Sequence, residues 1–261
     1  MNNKTLIDRN KIDLLIELVK TSFKMRYQNS FLGFLWVLIK PYSTFLVLYY
    51  VWTRIINANI PNYSLYLLLG IIFFTYINEL IILGQLALLD KAGIILKVNF
   101  PRQIAVLSAL ISAVINLGIN MVFFTIISTV VKLKVDLKGI LYFLFVVLVT
   151  FILALGISFF TSVLTVRLRD LKNIFELLFF LLFYASPILY VIGTQVAPGS
   201  TADLIAANPV GIIINQARAA LGIYGERDAK LMIMYFVVSL IIFAAGWVFF
   251  SNRVKKVAEF F

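Results

Sequence analysis

The sequence predicts an all-α membrane protein with six transmembrane helices, an N-terminal amphipathic interfacial helix, and external re-entrant helices between spans five and six. Hydrophobic residues make up 62% of the 261 residues and charged residues only 13%, too few charges to cover a water-soluble domain of this length. Several apolar stretches exceed the ~18 residues that a helix needs to cross roughly 30 Å of hydrocarbon. The short alternating segments typical of a transmembrane β-barrel do not occur.

The composition excludes several classes of function. Without cysteine or histidine, the sequence offers no thiolate or imidazole metal ligand and no histidine-dependent nucleophile. It has no G-x-x-x-x-G-K-[ST] phosphate loop, so the energy for uphill transport is expected to come from a separate chain. The net charge of +11 does not indicate nucleic acid, because the basic residues lie at the ends of apolar runs, as membrane topology requires.

Residues 11–28 have the pattern of an amphipathic helix lying in the membrane interface. Its charged and apolar residues fall on opposite faces at helical spacing: Asp13, Glu17, Lys20 and Lys24 against Ile12, Leu15, Ile16, Val19 and Phe23. Such a helix is either a simple surface anchor or a gate, and the pattern fits both.

Six apolar stretches predict the membrane spans of a single domain, 1–261. The predicted spans are 31–52, 63–89, 104–131, 139–166, 173–191 and 231–250. Pro41, preceded by Lys40, lies inside the first span and is expected to kink it. Most of the 23 lysines and arginines fall on the side of the two termini, which predicts that both termini are cytoplasmic.

Polar residues interrupt the apolar spans at two places. Glu79 lies near the middle of the second span, where a carboxylate must face protein or water. It is either a pathway residue or an inter-helix hydrogen-bonding partner. Ser112, Asn116 and Asn120 are spaced by four residues and form one stripe on the third span, a pattern that favours helix–helix contact over contact with cargo.

Two segments between the spans are too short or too broken to cross the membrane. Residues 90–102 hold the short apolar piece Gly93–Leu96 among charged residues, which suits contact with a partner protein. Residues 204–222 are apolar but interrupted by Asn208-Pro209. They fit two short external helices that dip into the membrane where protein or water surrounds them.

Four short motifs carry a resemblance to a known family. The elbow Arg26–Trp36 leads into the first span, and Arg169–Lys172 opens the fifth. Ser186-Pro187-Ile188 lies late in the fifth span, and Asn208-Pro209 begins an external re-entrant piece. Together they resemble the permease subunit of ABC type-2 exporters, in the branch that exports O-antigen polysaccharide or wall teichoic acid. The likeness covers nearly the whole chain.

This resemblance implies an assembly and a cargo. The family's permease is a homodimer with a central channel in the bacterial cytoplasmic (inner) membrane, served by two copies of a separate ATPase that binds ATP and Mg. The implied cargo is a glycan linked to undecaprenyl diphosphate. The N-terminal helix would act as a cytoplasmic gate, and the external helices would close the far end. Residues that would couple to the ATPase are Asp90, Lys91, Gly93, Lys97 and Arg102.

Candidate cargo residues follow from the chemistry of such a lipid. Cations suit a diphosphate, and the headgroup or gate candidates are the cations Arg26, Lys40, Arg167 and Arg169 together with Tyr27. Aromatic and polar groups suit sugars, and the channel-lining candidates are Tyr42, Tyr49, Tyr184 and Glu79. Two alternatives remain open: a type-2 exporter of a small amphiphile or drug, and a membrane scaffold that transports nothing.

Overall fold

The computed structural model describes residues 3–27, 30–55, 62–98, 100–191 and 199–254. These residues are helical apart from short connections. In chain order, the helices are α1 Asn3–Tyr27, α2 Trp36–Tyr50, α3 Tyr63–Asp90, α4 Ala92–Ile95, α5 Gln103–Val130, α6 Leu137–Arg167, α7 Leu171–Ala185, α8 Ser200–Ala206, α9 Pro209–Ala220 and α10 Ala229–Arg253.

Five helical segments in the described part are long and apolar enough to cross a membrane. They are Gly33–Arg54, Tyr63–Asp90, Gln103–Val130, Leu137–Arg167 and Ala229–Arg253. The first combines a 3₁₀ turn, α2 and a π turn, and the helix continues through Pro41 without a break.

The fifth predicted span differs from the structure. Helix α7 has 15 residues and ends at Ala185, so it is about 22 Å long and too short to span the hydrocarbon by itself. Ser186 is extended because the following Pro187 disfavours helical backbone at the residue before it and has no N–H to donate. The predicted span 173–191 is therefore helical only in its first part.

The N-terminal helix also differs from its prediction. It begins at Asn3, well before residue 11, and packs against α5. Leu18 is buried, whereas Ile12 and Ile16 of the predicted apolar face are exposed. Helix α1 therefore contacts the protein through the side that carries Leu18, and the interfacial location of its apolar face stays a prediction.

Helix α3 is the centre of the fold. It packs against α5 and α6 most extensively and also contacts α2, α7 and α9. Its first half is almost wholly buried, and at Gly84 a Cβ atom would overlap the side chain of Ser158 on α6. Helix α10, by contrast, packs mainly on α6 and leaves most of its apolar surface exposed.

The non-helical segment after α7 is held by side chains of α3. The Tyr63 hydroxyl donates to the carbonyl of Leu189 at 2.8 Å. The Tyr66 hydroxyl lies 2.9 Å from the carbonyls of both Pro187 and Tyr190. Irregular backbone in an apolar environment is tolerated only where its polar groups find partners, and here tyrosine hydroxyls supply them.

Arg218 of α9 is fully buried and is the third donor to this segment. We call Tyr63, Tyr66 and Arg218 together the Arg218 cage. The Arg218 Nε donates to the carbonyl of Tyr66 at 3.1 Å, and its Nη1 and Nη2 donate to those of Pro187 and Ile188 at 2.7 and 3.2 Å. Its Cζ lies 3.5 Å from the centre of the Tyr66 ring. The planar guanidinium group therefore connects α3, α9 and the segment after α7.

An exposed ion pair ties the start of α6 to the loop before α10. Asp136 caps α6 by accepting from the Gly139 N–H at 3.2 Å, and Arg227 pairs with the same carboxylate. The hydrogen bond from Arg227 lowers the pKa of the Asp136 carboxyl below its usual value. This contribution to stability is present above the pKa of the unfolded chain and is lost as the pH falls through the folded pKa.

Candidate transport cavity

A cavity of about 770 Å³ lies between α2, α3 and α7 and reaches the end of α1. Each of these elements contributes a different chemistry to its wall. Helix α3 supplies polar groups, α7 supplies aromatic rings and the Glu176 carboxylate, and α1 and α2 supply cations.

The α3 wall is a single stripe of the helix. Thr75, Asn78, Glu79, Ile82 and Leu83 line the cavity and follow the i, i+3, i+4, i+7, i+8 spacing of one helical face. They are half-buried, whereas the residues between them are buried in the core. Three of the five are polar, so this face of the central helix presents hydrogen-bonding groups to the cavity.

The opposite wall is aromatic. Phe179, Phe180 and Phe183 of α7 line it, together with Trp36 at the start of α2. Phe183 packs edge-on against Phe74 of α3 with ring centres 5.2 Å apart. Ring faces of this kind provide apolar contact that depends little on the exact position of a bound group.

Two cations stand at the α1–α2 end of the cavity. Arg26 and Lys40 both line it and both are exposed. The carboxylate of Glu79 faces the same space and accepts from the Asn116 side chain at 2.7 Å. Glu176 also lines the cavity and pairs with Lys172. Within the described part of the chain, neither cation forms an ion pair with Glu79 or Glu176, so both remain available to an anionic ligand.

A smaller cavity of about 380 Å³ adjoins the first and shares Arg26 with it. It is also lined by Lys91, which is buried and donates to the carbonyl of Ala105 at 3.2 Å. Burial lowers the pKa of the Lys91 ammonium to about 8. Lys91 therefore serves the junction between α3, α4 and α5 rather than an exposed docking surface.

The structure brings together three of the predicted cargo residues and leaves the others apart. Arg26, Lys40 and Glu79 line the large cavity. The remaining candidates with described side chains do not line it: Arg167, Arg169, Tyr42, Tyr49 and Tyr184. The side chain of Tyr27 lies outside the described part of the chain.

The predicted channel tyrosines have other contacts. Tyr42 donates to the carbonyl of Asn120 at 3.4 Å, and Tyr49 stacks between Phe45 and Tyr63. Tyr184 is exposed on α7. Their roles in a channel remain predictions.

The coupling candidates also divide into two groups. Arg102 donates to the backbone carbonyl of Val254 at the end of α10, and Lys91 is buried as described above. Asp90, Gly93 and Lys97 are exposed, and a Cβ atom at Gly93 would meet open space. The exposed group is therefore the part of residues 90–102 that a partner can reach.

Sequence reasoning missed most of the cavity wall. Thr75 and Asn78 share the helical face of Glu79, and that spacing is a signal that the sequence carries. The phenylalanines of α7 carry no such signal, because 24 phenylalanines are spread through the chain and their spacing does not separate cavity from lipid.

A bundle of long apolar helices around a polar and cationic cavity defines a multi-pass membrane protein built for transport. The chain matches the ABC-2 type transporter family over residues 13–222, and it belongs to that family. It is therefore the membrane subunit of a transporter, in the bacterial inner membrane, and the family resemblance found in the sequence is confirmed.

Similar proteins cover almost the whole chain. The O-antigen export system permease protein RfbA of Myxococcus xanthus is 26% identical over 246 residues, which is 94% of each chain. Two O-antigen export system permease proteins RfbA of Klebsiella pneumoniae are each 24% identical over 247 residues, covering 95% of this chain and 94% of the relative.

Proposed function

We propose that this chain forms the channel of an ATP-driven exporter for a polysaccharide linked to undecaprenyl diphosphate, of the O-antigen or teichoic acid type. In this proposal two copies of the chain assemble with two copies of a separate ATPase, and both termini are cytoplasmic. The names of the similar permeases support a polysaccharide cargo.

The observation that carries the proposal is the distribution of chemistry around the cavity. Arg26 and Lys40 suit a diphosphate, since guanidinium and ammonium groups bind phosphate oxygens strongly. The stripe beginning at Thr75 suits sugar hydroxyls, and the α7 phenylalanines suit the apolar faces of sugar rings. A lipid-linked glycan has all three features in one molecule.

The exposed apolar surface of α7 supports the homodimer of this proposal. Of its 15 residues, the described structure buries only Phe179, and its exposed apolar residues are Ile174, Leu177, Leu178, Phe180, Leu181 and Tyr184. A short helix of this kind cannot form a channel wall against lipid on its own. A second copy facing it would enclose the cavity and turn it into a channel.

The test is stimulation of the ATPase by cargo. The complex of this chain with its ATPase is expected to contain two copies of each. Its hydrolysis rate is expected to rise with undecaprenyl diphosphate carrying an oligosaccharide, but not with a small cationic amphiphile. Arg26→Glu is expected to abolish most of that stimulation. Lys24→Glu is the matched control, because Lys24 is also an exposed cation of α1 but does not line the cavity.

The outcomes separate the three candidate functions. Stimulation by the amphiphile instead would favour the small-molecule exporter. A preparation that binds no ATPase and responds to neither compound would favour the scaffold. Equal loss of stimulation in both charge-reversal variants would show that the cavity is not the cargo-binding site.

The ATPase contact is predicted to lie on the exposed part of residues 90–102. Leu96→Asp is expected to reduce the amount of ATPase that co-purifies by at least roughly fivefold, because a charge would replace an apolar anchor at the contact. Leu168→Asp is the control, since Leu96 and Leu168 are 57% and 58% exposed. Unchanged co-purification of the Leu96 variant, measured by densitometry, would move the contact elsewhere.

A further inference from the structure

Helix α5 supplies no described side chain to the lining of the large cavity, yet two of its polar residues contact the walls. Asn116 and Asn120 are buried on adjacent turns. The Asn116 Nδ2 donates to Glu79 Oε2 at 2.7 Å. The Asn120 Nδ2 donates to the carbonyl of Asn116 at 2.8 Å and reaches that of Val37 on α2 at 3.4 Å.

The carbonyl of Val37 needs an external partner. In a regular helix it would accept from the N–H of residue 41, but residue 41 is proline and has no N–H. A carbonyl left without a partner in a buried turn costs free energy. The Asn120 amide is the side-chain donor that the structure places at this carbonyl, and it therefore stabilises the proline-interrupted turn of α2.

The Asn116 amide has a complementary effect on Glu79. It gives one carboxylate oxygen a partner on α5, and among the described residues Glu79 forms no ion pair with either cation that shares the cavity. Without that hydrogen bond, the flexible carboxylate would be free to approach Lys40, because opposite charges in a partly desolvated space attract strongly. Such an ion pair would neutralise the cation that a diphosphate needs.

We propose that Asn116 and Asn120 are positioning residues for cargo: α5 sets the separation between the anionic wall at Glu79 and the cationic wall at Lys40. This proposal rests on the function proposed above and identifies what keeps its phosphate-binding cations unpaired. Neither asparagine touches the cargo, and each acts through a group on a neighbouring helix.

The first test is a double-mutant cycle between Asn116 and Glu79. Trp36 lines the cavity, and the chain has only three tryptophans, so Trp52→Phe and Trp247→Phe leave Trp36 as the sole reporter. In lipid nanodiscs, Asn116→Leu is expected to raise the half-saturating concentration of sugar-free undecaprenyl diphosphate about tenfold. In the Glu79→Gln background the same change is expected to raise it less than roughly twofold, because no carboxylate remains to approach Lys40.

The second test needs no ligand and concerns Asn120. Asn120→Leu is expected to change the acrylamide quenching of Trp36 roughly twofold, because the first turn of α2 loses its tether. In the Pro41→Ala background a backbone N–H is restored at position 41, so the effect of Asn120→Leu is expected to fall to near zero. Ser112→Ala is the control, since the Ser112 hydroxyl bonds within its own helix, to the carbonyl of Ser108 at 3.0 Å.

These outcomes separate this inference from the function on which it depends. Equal effects of Asn116→Leu with and without Glu79, or of Asn120→Leu with and without Pro41, would overturn the positioning roles and leave the cavity's function standing. Failure of the unsubstituted protein to bind the lipid diphosphate would overturn the cation site and the Asn116 role with it. The Asn120 double-mutant cycle uses no ligand, so it would still test whether Asn120 stabilises the turn at Pro41.

Discussion

Arg218→Leu is expected to be among the most destabilising single substitutions in this chain. The guanidinium is the partner of the Ile188 carbonyl and of the Asn215 side chain, at 3.2 and 2.9 Å. Leucine fills part of the space but leaves the buried Ile188 carbonyl and the half-buried Asn215 side chain without this donor. Two such losses are worth about 3 kcal/mol of unfolding free energy, or roughly 6–12 °C in the unfolding midpoint of a chain of this size.

The matched control is an arginine at a solvent-exposed site. Arg227 also makes an ion pair and hydrogen bonds, but it pairs with Asp136 at an exposed site, where water replaces the lost contacts. Arg227→Leu is therefore expected to shift the midpoint much less. Both midpoints are read from thermal unfolding of the purified chain in detergent, and equal shifts would show that burial of Arg218 carries no special cost.

A second variant distinguishes the cage from general packing. A Cβ atom at Gly70 of α3 would overlap the Arg218 guanidinium, so Gly70→Ala is expected to displace it and destabilise the chain. In the Arg218→Leu background the same glycine change is expected to cost far less, because a flexible apolar side chain can move aside. Additive losses would mean that Gly70 is constrained by something other than Arg218.

The general architecture was predictable because it depends on long-range averages of the sequence. Apolar stretches longer than ~18 residues identify spans whatever their neighbours are, and all five long spans appear within a few residues of their predicted ends. The break at Asn208-Pro209 between two short helices also had a local signal, since the Asn208 side chain accepts from the Val210 N–H and proline suits the first turn. That these helices are external and re-entrant stays a prediction.

The cage around Arg218 was not predictable in the same way. Charge counting treats Arg218 like any other external cation, and only tertiary structure reveals that it is fully buried among backbone carbonyls. The early end of α7 had a local signal in Ser186-Pro187, but the compensation comes from Tyr63 and Tyr66, more than a hundred residues earlier. Sequence spacing carries no information about such partners.

The candidate site, too, was predictable from the sequence only in part. The helical spacing of Asn116 and Asn120 predicted contact between helices, and the structure shows it. That spacing did not indicate that Glu79 and the carbonyl opposite Pro41 are the partners. Glu79 was recognisable as costly in lipid. Of its two possible roles, the inter-helix contact is seen in the hydrogen bond from Asn116, whereas the pathway role stays a prediction for a carboxylate that lines the cavity.

Gly246→Val is expected to have an effect comparable to the loss of Arg218, through steric overlap rather than lost hydrogen bonds. A Cβ atom at Gly246 of α10 would overlap the backbone carbonyl of Gly156 on α6 and lie 3.3 Å from its Cα. Backbone cannot move aside as a side chain can, so the two helices must separate. Helix α10 buries only the narrow row of Met232, Ser239, Gly246 and Phe250.

Because that row lies within the contact between α6 and α10, which partly buried aromatic side chains such as Phe236 and Phe243 extend, separation there is expected to cost about 2–3 kcal/mol and to loosen the packing of α10. The folded, monodisperse fraction in size-exclusion chromatography is expected to fall sharply. Gly118→Val is the control within a span, since a Cβ atom there would meet open space. If both variants lose the same folded fraction, the cost belongs to valine in a membrane helix and not to the contact between α6 and α10.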